Sequence, residues 1–355
     1  MSKKESIRDF LLLNHEQCEE KFERFDQLVS LLLNDNGNFT YRHASELQTI
    51  QALNYMAEVN KYSSSGLIPS DDKLKRPLRL FIYDKGKVPG LLKNFLWTKK
   101  AILTDLLLSL QEALSGKRII TAIVLVRPIL EHIGIMSLFS KEIDPIFHTP
   151  KPNKEEIPLI LAELAEIINK RGKGTRVDWE TYLKKSLRVG KKKSYKHEEG
   201  TVDLTANDLM NGIDNLDKKV KGVRKVYELA SEFAHPNVGS HFILLNSAVS
   251  VDLEDGIRLW KRGFDINLPV QGINLFKPRL IEVIEILIET VEYFQQMKAD
   301  IELKQKITEK WAKEAIKFLL KKQPFIFQKR EPCPCFSGEA IGKCCGKKLK
   351  KHMEI

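Results

Sequence analysis

The chain of 355 residues carries 58 Lys and Arg against 47 Asp and Glu, 43% hydrophobic residues, 8% aromatics and five cysteines. That composition can bury the core of one large domain or two ordinary ones, and it is too apolar for a disordered chain. The net charge of +11 is unevenly spread: residues 301–355 hold 14 basic residues against six acids, and the preceding 300 residues are close to neutral.

No membrane span is expected. The most apolar stretch, Ile119 to Val126, is interrupted by Arg127, Pro128, Glu131 and His132, far short of the roughly 18–20 apolar residues a bilayer demands. It reads as a buried core helix. Ser2 to Asp9 is charged and unlike a secretory leader. Four of the five cysteines fall within 13 residues, and Cys18 stands apart. Clustered thiols without a leader point to a reducing, cytoplasmic setting and to metal before disulfide.

From Ser6 to Leu33 the apolar residues recur at three- and four-residue steps, which predicts a helix closed by Asn34-Asp35-Asn36-Gly37. A second helix is expected over Ser45 to Asn60. Residues 66–90, with Pro69, Pro77 and Pro89, read as a loop holding one short strand, Leu78 to Tyr83. Leu91 to Leu114 and Arg118 to Ser140 read as two long helices joined by Ser115-Gly116, antiparallel neighbours at the centre of the core.

Shorter helices are expected at 155–168, 178–188, 205–219 and 221–235, with a basic stretch at 170–200. Around Glu254-Asp255-Gly256, β-branched and aromatic residues alternate as in a β-hairpin, at about 242–262. Pro278 is expected to open a helix to Ala299, followed by another to Leu320. The fold class is therefore mainly α: a multi-helix body over 1–320 with a small β-hairpin insertion, and a C-terminal zinc knob.

The strongest motif is Pro332-Cys333-Pro334-Cys335-Phe336-Ser337-Gly338, followed by Cys344-Cys345-Gly346. Four thiolates suit a closed tetrahedral zinc site, and the tight turns at Pro334 and Ser337-Gly338 let so short a segment surround one ion. A pair of strained disulfides or uncommitted thiols is the plainer alternative. These residues resemble the SEC-C zinc-binding motif, found at the C-terminus of a translocase ATPase and on many otherwise unrelated bacterial proteins. The resemblance covers 329–347 and implies one structural zinc on Cys333, Cys335, Cys344 and Cys345, and a docking role. Phe336 stands where that family usually has glycine, and Glu339 to Gly342 replace a run that usually carries lysine and an aromatic residue.

Lys321, Lys322, Lys329, Arg330, Lys343, Lys347, Lys348, Lys350 and Lys351 surround the motif, opposed only by Glu331 and Glu339. Such a collar suits an acidic protein, an RNA backbone or a ribosomal surface, or it is a solvated tail that aids solubility.

In the body, Arg127 and Glu131 share a helix face, and Tyr227, Ser231 and His235 recur on another. The two segments resemble an uncharacterised bacterial all-helical family with an Arg-x-x-x-Glu helix and a Tyr-x-x-x-Ser-x-x-x-His-Pro helix end. Arg127 and His132 also satisfy the Arg-x4–6-His rule of HEPN ribonucleases. That resemblance implies a metal-independent RNA-cleaving or toxin-like enzyme, with a composite site formed by homodimerisation. Arg127, Glu131, His132, Tyr227, Ser231 and His235 are thus the candidate catalytic residues, and the alternatives are a buried network that only holds helices in register and a pocket for a small ligand or nucleotide.

Overall fold

The computed structural model describes residues 16–34, 72–116, 118–148, 152–173, 206–234, 249–252, 258–261, 270–322 and 328–347. Within them the chain is mainly α. Seven helices are described: α1 (Glu16–Asn34), α2 (Asp72–Ser115), α3 (Ile119–His148), α4 (Ile157–Lys173), α5 (Ala206–Asp217), α6 (Val223–Ala234) and α7 (Val270–Lys322).

The chain divides into two compact units, and three of the divisions fall inside α2, α3 and α7. Unit 1 is Met1–Gly37, Thr98–Leu138 and Leu204–Met297; unit 2 is Asn38–Trp97, Phe139–Asp203 and Lys298–Ile355.

In unit 1 the apolar stripe of α1 buries Phe22, Phe25, Val29 and Leu32, and the centre of α3 buries Ile129, Leu130, Ile133 and Met136. Where α3 meets α5, glycine faces glycine. A Cβ on Gly212 would lie 2.9 Å from the Gly134 carbonyl oxygen, so the two backbones approach as only residues without side chains allow. Asp217, at the end of α5, then accepts the backbone N–H groups of Gly222 (3.1 Å) and Arg224 (3.0 Å) and so caps the start of α6. Gly222 makes that reversal at φ +96°.

In unit 2, Phe95 of α2 packs on Phe139 of α3 with centroids 4.3 Å apart, and Phe147 stacks on Trp311 of α7 at 5.1 Å. The buried Lys304 ammonium is held between Asp144 and Asp300, and the buried Arg171 guanidinium reaches Glu142 through Nε at 2.8 Å. Cations this far from water need such partners.

Several expected boundaries change. The segment 72–90 is helix, not a loop with a strand at Leu78 to Tyr83. Ile82, Lys85, Val88, Leu92 and Phe95 are buried at steps of three and four residues, and that burial outweighs the disruption by Pro77 and Pro89. Likewise α3 runs on past Ser140 to His148. The helices expected on either side of Ala299 are one, because nothing at Ala299-Asp300 breaks the buried face through Met297, Ile301, Thr308 and Ala312; Pro278 lies within that helix and does not open it.

In the segment 242–262, Val249–Asp252 and Arg258–Lys261 pair antiparallel, with Asp252 opposite Arg258. The rest of the segment lies outside the described residues, and two four-residue segments do not amount to a β layer in the fold. The helices expected at Ser45 to Asn60 and at 178–188 also lie outside the described residues.

By length and composition α3 could cross a membrane, with a mean hydropathy of 1.8 in its most apolar window. Half of that window is buried within the protein.

Replacing Gly by Ala inside a helix ordinarily stabilises by about 1 kcal/mol. Gly212→Ala should instead lower the unfolding midpoint in urea, because its methyl would press on the Gly134 backbone. A midpoint equal to or above that of the parent would mean that the crossing is not so close.

Candidate metal centre and the polar network of the helical body

Residues 328–347 fold around their cysteines. Cys333 donates its backbone N–H to Glu339 O (2.8 Å) and Ile341 donates to Glu331 O (2.9 Å), a two-residue antiparallel clasp in which Pro332 bridges Ala340. Phe336 N–H returns to Cys333 O at 3.0 Å, closing a turn that brings Cys333 and Cys335 to one side. A single 3₁₀ turn, Ile341–Lys343, then delivers Cys344 and Cys345 from the other.

The four Sγ atoms all lie within 4.8 Å of one another. Cys335 is 3.3 Å from Cys333 and 3.4 Å from Cys344, and Cys344 is 3.9 Å from Cys345. A tetrahedron with metal–sulfur bonds of about 2.3 Å has edges of about 3.8 Å. Those separations are too long for disulfides, and the cysteines are free thiols. The Ser337 hydroxyl donates to Cys344 Sγ at 3.3 Å, the type of outer contact that orients a metal-bound thiolate.

The electrostatics also fit a cation. Hydrogen bonds from the Cys333 and Cys345 thiols hold Cys335 far below the ordinary thiol range. Cys333, bonded to Cys335, is pushed up to about 12, and Cys345 is driven up by its bonds to Cys333 and Cys335 and by burial. One thiolate therefore suppresses ionisation of its neighbours, and a central metal ion would remove that conflict. The donor set fits a metal ion held by all four sulfurs.

The module is seated on helices of unit 2. Cys333, Cys345 and Ile341 share a buried cluster with Ile82 of α2 and with Ile316 and Leu320 of α7. A Cβ on Gly86 would overlap the Pro334 carbonyl oxygen, so α2 admits the cysteine loop only at that glycine. Beside it the Tyr83 hydroxyl donates to Pro332 O at 3.4 Å, and the Tyr83 ring faces Phe336 at 6.0 Å. Reading 66–90 as a loop hid this seat. Its one signal in the sequence is Gly86 between Lys85 and Lys87, a glycine flanked by helix-compatible residues.

Phe336 has φ +57°, in the left-handed region where an L side chain costs about 1–2 kcal/mol. This is the position at which the SEC-C motif usually carries glycine. Gly338, at φ +82°, makes the next reversal.

In unit 1 the structure brings Arg127, Glu131 and Tyr227 together. One carboxylate oxygen of Glu131 accepts both the Arg127 Nε–H (2.9 Å) and the Tyr227 hydroxyl (3.1 Å), and the guanidinium lies 5.6 Å from the Tyr227 ring centroid. The hydrogen bond to Glu131 raises the Arg127 pKa; burial and then the Glu131 charge raise that of Tyr227. Ser231 turns its hydroxyl back to the Tyr227 carbonyl at 2.8 Å, so it serves its own helix. Arg224 instead pairs outward with Glu228 (2.7 Å) and Asp214 (2.6 Å). His235 lies outside the described residues.

His132 does not join that cluster. Five positions along a helix from Arg127 is a rotation of about 140°, onto another face. Its Nδ1 is buried with no hydrogen-bond partner among the described residues, and burial, then the Lys99 charge, lower its pKa to about 4. The imidazole is neutral at pH 7. Lys99 is itself lowered to about 8 by burial. The candidate catalytic set thus separates into an ion-paired cluster, a half-buried neutral histidine and a self-satisfied serine.

Comparison of the chain with known protein families, with curated proteins and with solved structures gives no match.

Phe336→Gly and Phe336→Ala both lose the ring contact with Tyr83, but only alanine keeps a side chain in the left-handed region. The glycine variant should be more stable by about 1 kcal/mol and hold a Co(II) probe at least as tightly in thiolate charge-transfer titrations; the opposite order would remove the need for that turn.

His132 has an ordinary pKa of 6.5 that falls to about 4 in the folded chain. The unfolded chain therefore takes up the proton first, and stability should drop as the pH falls from 6.5 towards 4. His132→Leu should flatten that slope in urea unfolding at pH 7 and pH 4.5, and an unchanged slope would exclude His132 as its source.

Proposed function

We propose that residues 328–347 form a closed four-cysteine zinc site of the SEC-C type, whose basic rim docks the chain to an acidic protein or ribonucleoprotein partner. The observation that carries this reading is the convergence of Cys333, Cys335, Cys344 and Cys345 within 4.8 Å, on a module whose Arg330, Lys343 and Lys347 are exposed. Four thiolates leave no coordination position for water, so zinc acts there as a cross-link and not as an activator of substrate. The seat on Ile82, Ile316 and Leu320 buries one side of the module and leaves its cationic rim as surface. A basic rim on a rigid support attracts anionic partners and fixes how they approach.

The ribonuclease alternative has less behind it. Arg127 is engaged by Glu131 and Tyr227, and a histidine with a pKa of about 4 is a poor proton shuttle near neutrality. The Arg127–Glu131–Tyr227 cluster accounts for itself as a tie between α3 and α6.

Purified protein should contain one zinc per chain by elemental analysis, released by a thiol-specific mercurial. Truncation would uncover the apolar seat, so docking is best tested with Arg330, Lys343 and Lys347 changed to Gln and the cysteines intact. Binding partners recovered with the parent protein should be lost with this variant at equal zinc content; an unchanged set would end the docking role.

A further inference from the structure

Lys306, Lys310, Lys313, Lys317 and Lys321 follow one another along α7 at steps of four, three, four and four residues. At 100° per residue they share an arc of about 80°, and the row is about 22 Å long. All five are exposed, and none is in an ion pair among the described residues. Glu309 and Glu314 border the arc on either side, and Glu309 is occupied by Gln305 at 2.6 Å.

The row adjoins the cysteine module. Ile316 and Leu320, which seat Ile341 and Cys345, lie next to Lys313 and Lys317 around the helix, and Cys345 Sγ is 3.9 Å from the Lys313 carbonyl oxygen. The module contributes the exposed Lys343 and Lys347 on the same unit.

We propose that this lysine ridge binds the phosphate backbone of a nucleic acid, without regard to base sequence. The proposal rests on the docking reading above and names the partner's chemistry. Protein interfaces are depleted in lysine and need an apolar or aromatic centre. Among the described residues the ridge offers no such centre; Leu303, 59% exposed, lies at its N-terminal end. Evenly spaced point charges, one per helical turn, instead match a polymer that carries one charge per repeat. Each phosphate neutralised releases condensed counterions, which favours binding entropically. Because the lysines are not ion-paired, no internal pair has to break first.

The test uses the full zinc-loaded chain, a labelled 20-nucleotide single-stranded RNA of mixed sequence, and a poly-glutamate peptide of equal charge, read by fluorescence anisotropy from 50 to 300 mM KCl. The RNA affinity should fall with salt at about −0.7 in log–log slope per phosphate contacted, near −3.5 for five contacts. A triple Lys306→Gln, Lys310→Gln and Lys317→Gln variant leaves the knob seat untouched. It should bind on the order of tenfold more weakly at 100 mM KCl, with a slope shallower by about 2.

Circular dichroism and zinc content matching the parent keep folding out of the comparison. Wild-type affinity in this triple variant, with binding lost in the Arg330, Lys343 and Lys347 variant, would overturn the ridge and leave the docking rim standing. Binding unchanged in both variants would overturn both. Poly-glutamate bound as tightly as RNA at equal salt would assign the ridge to an acidic protein and overturn the proposal, as would no RNA binding by the parent at 50 mM KCl.

Discussion

Four thiols packed within 4.8 Å of one another cannot ionise together unless a cation lies between them, and the C-terminal architecture depends on how that conflict is resolved. Two of the sulfur-bearing residues, Cys333 and Cys345, are also core residues that pack with Ile82, Ile316, Leu320 and Ile341. Metal ligation and apolar burial would therefore act on the same side chains. A metal ion would hold the thiolates in the geometry that fills the seat, and the seat holds the loop in the geometry that converges the thiolates. The left-handed φ of Phe336 is held in a turn closed by its own N–H bond to Cys333 O and anchored through the buried Cys333.

The polar residues of α3 show a different arrangement, of half-buried charge. Glu131 places a single carboxylate oxygen between the Arg127 guanidinium and the Tyr227 hydroxyl, so the two charges are paired within unit 1. Arg127 and Glu131 are four residues apart on one helix, whereas 96 residues of chain separate Glu131 from Tyr227. Only the second contact ties distant segments, and it sets α6 against α3 in a specific register. His132, one residue further on, turns to another face of the same helix, where burial of its ring and the Lys99 charge favour the neutral imidazole.

Charge is distributed accordingly. Unit 2 holds its interior cations, Lys304 and Arg171, against Asp144, Asp300 and Glu142, while the lysines at the other face of α7 stay in water. A 53-residue helix can serve both purposes because its faces turn towards different environments every few residues. The basicity of the C-terminal segment is thus surface basicity, organised along one helix edge and the rim of the module beside it.

The helical class and the convergence of the four cysteines were legible in the sequence because both are local. Apolar spacing reports a helix face, and Cys-Pro-Cys followed by Cys-Cys leaves few ways for four sulfurs to surround one ion. The pairing of Arg127 with Glu131 was legible for the same reason. Helix continuity through Pro77, Pro89 and Ala299 was not, since a proline's local penalty is overcome by burial of Ile82, Val88 and Leu92 against segments remote in the chain. The glycine at position 86 acquires meaning only when Pro334 arrives against it, and the α7 lysines only when the cysteine module seats beside them. Local chemistry determined what the chain could bind; long-range packing decided that the binding module is anchored, and which charges face outward from it.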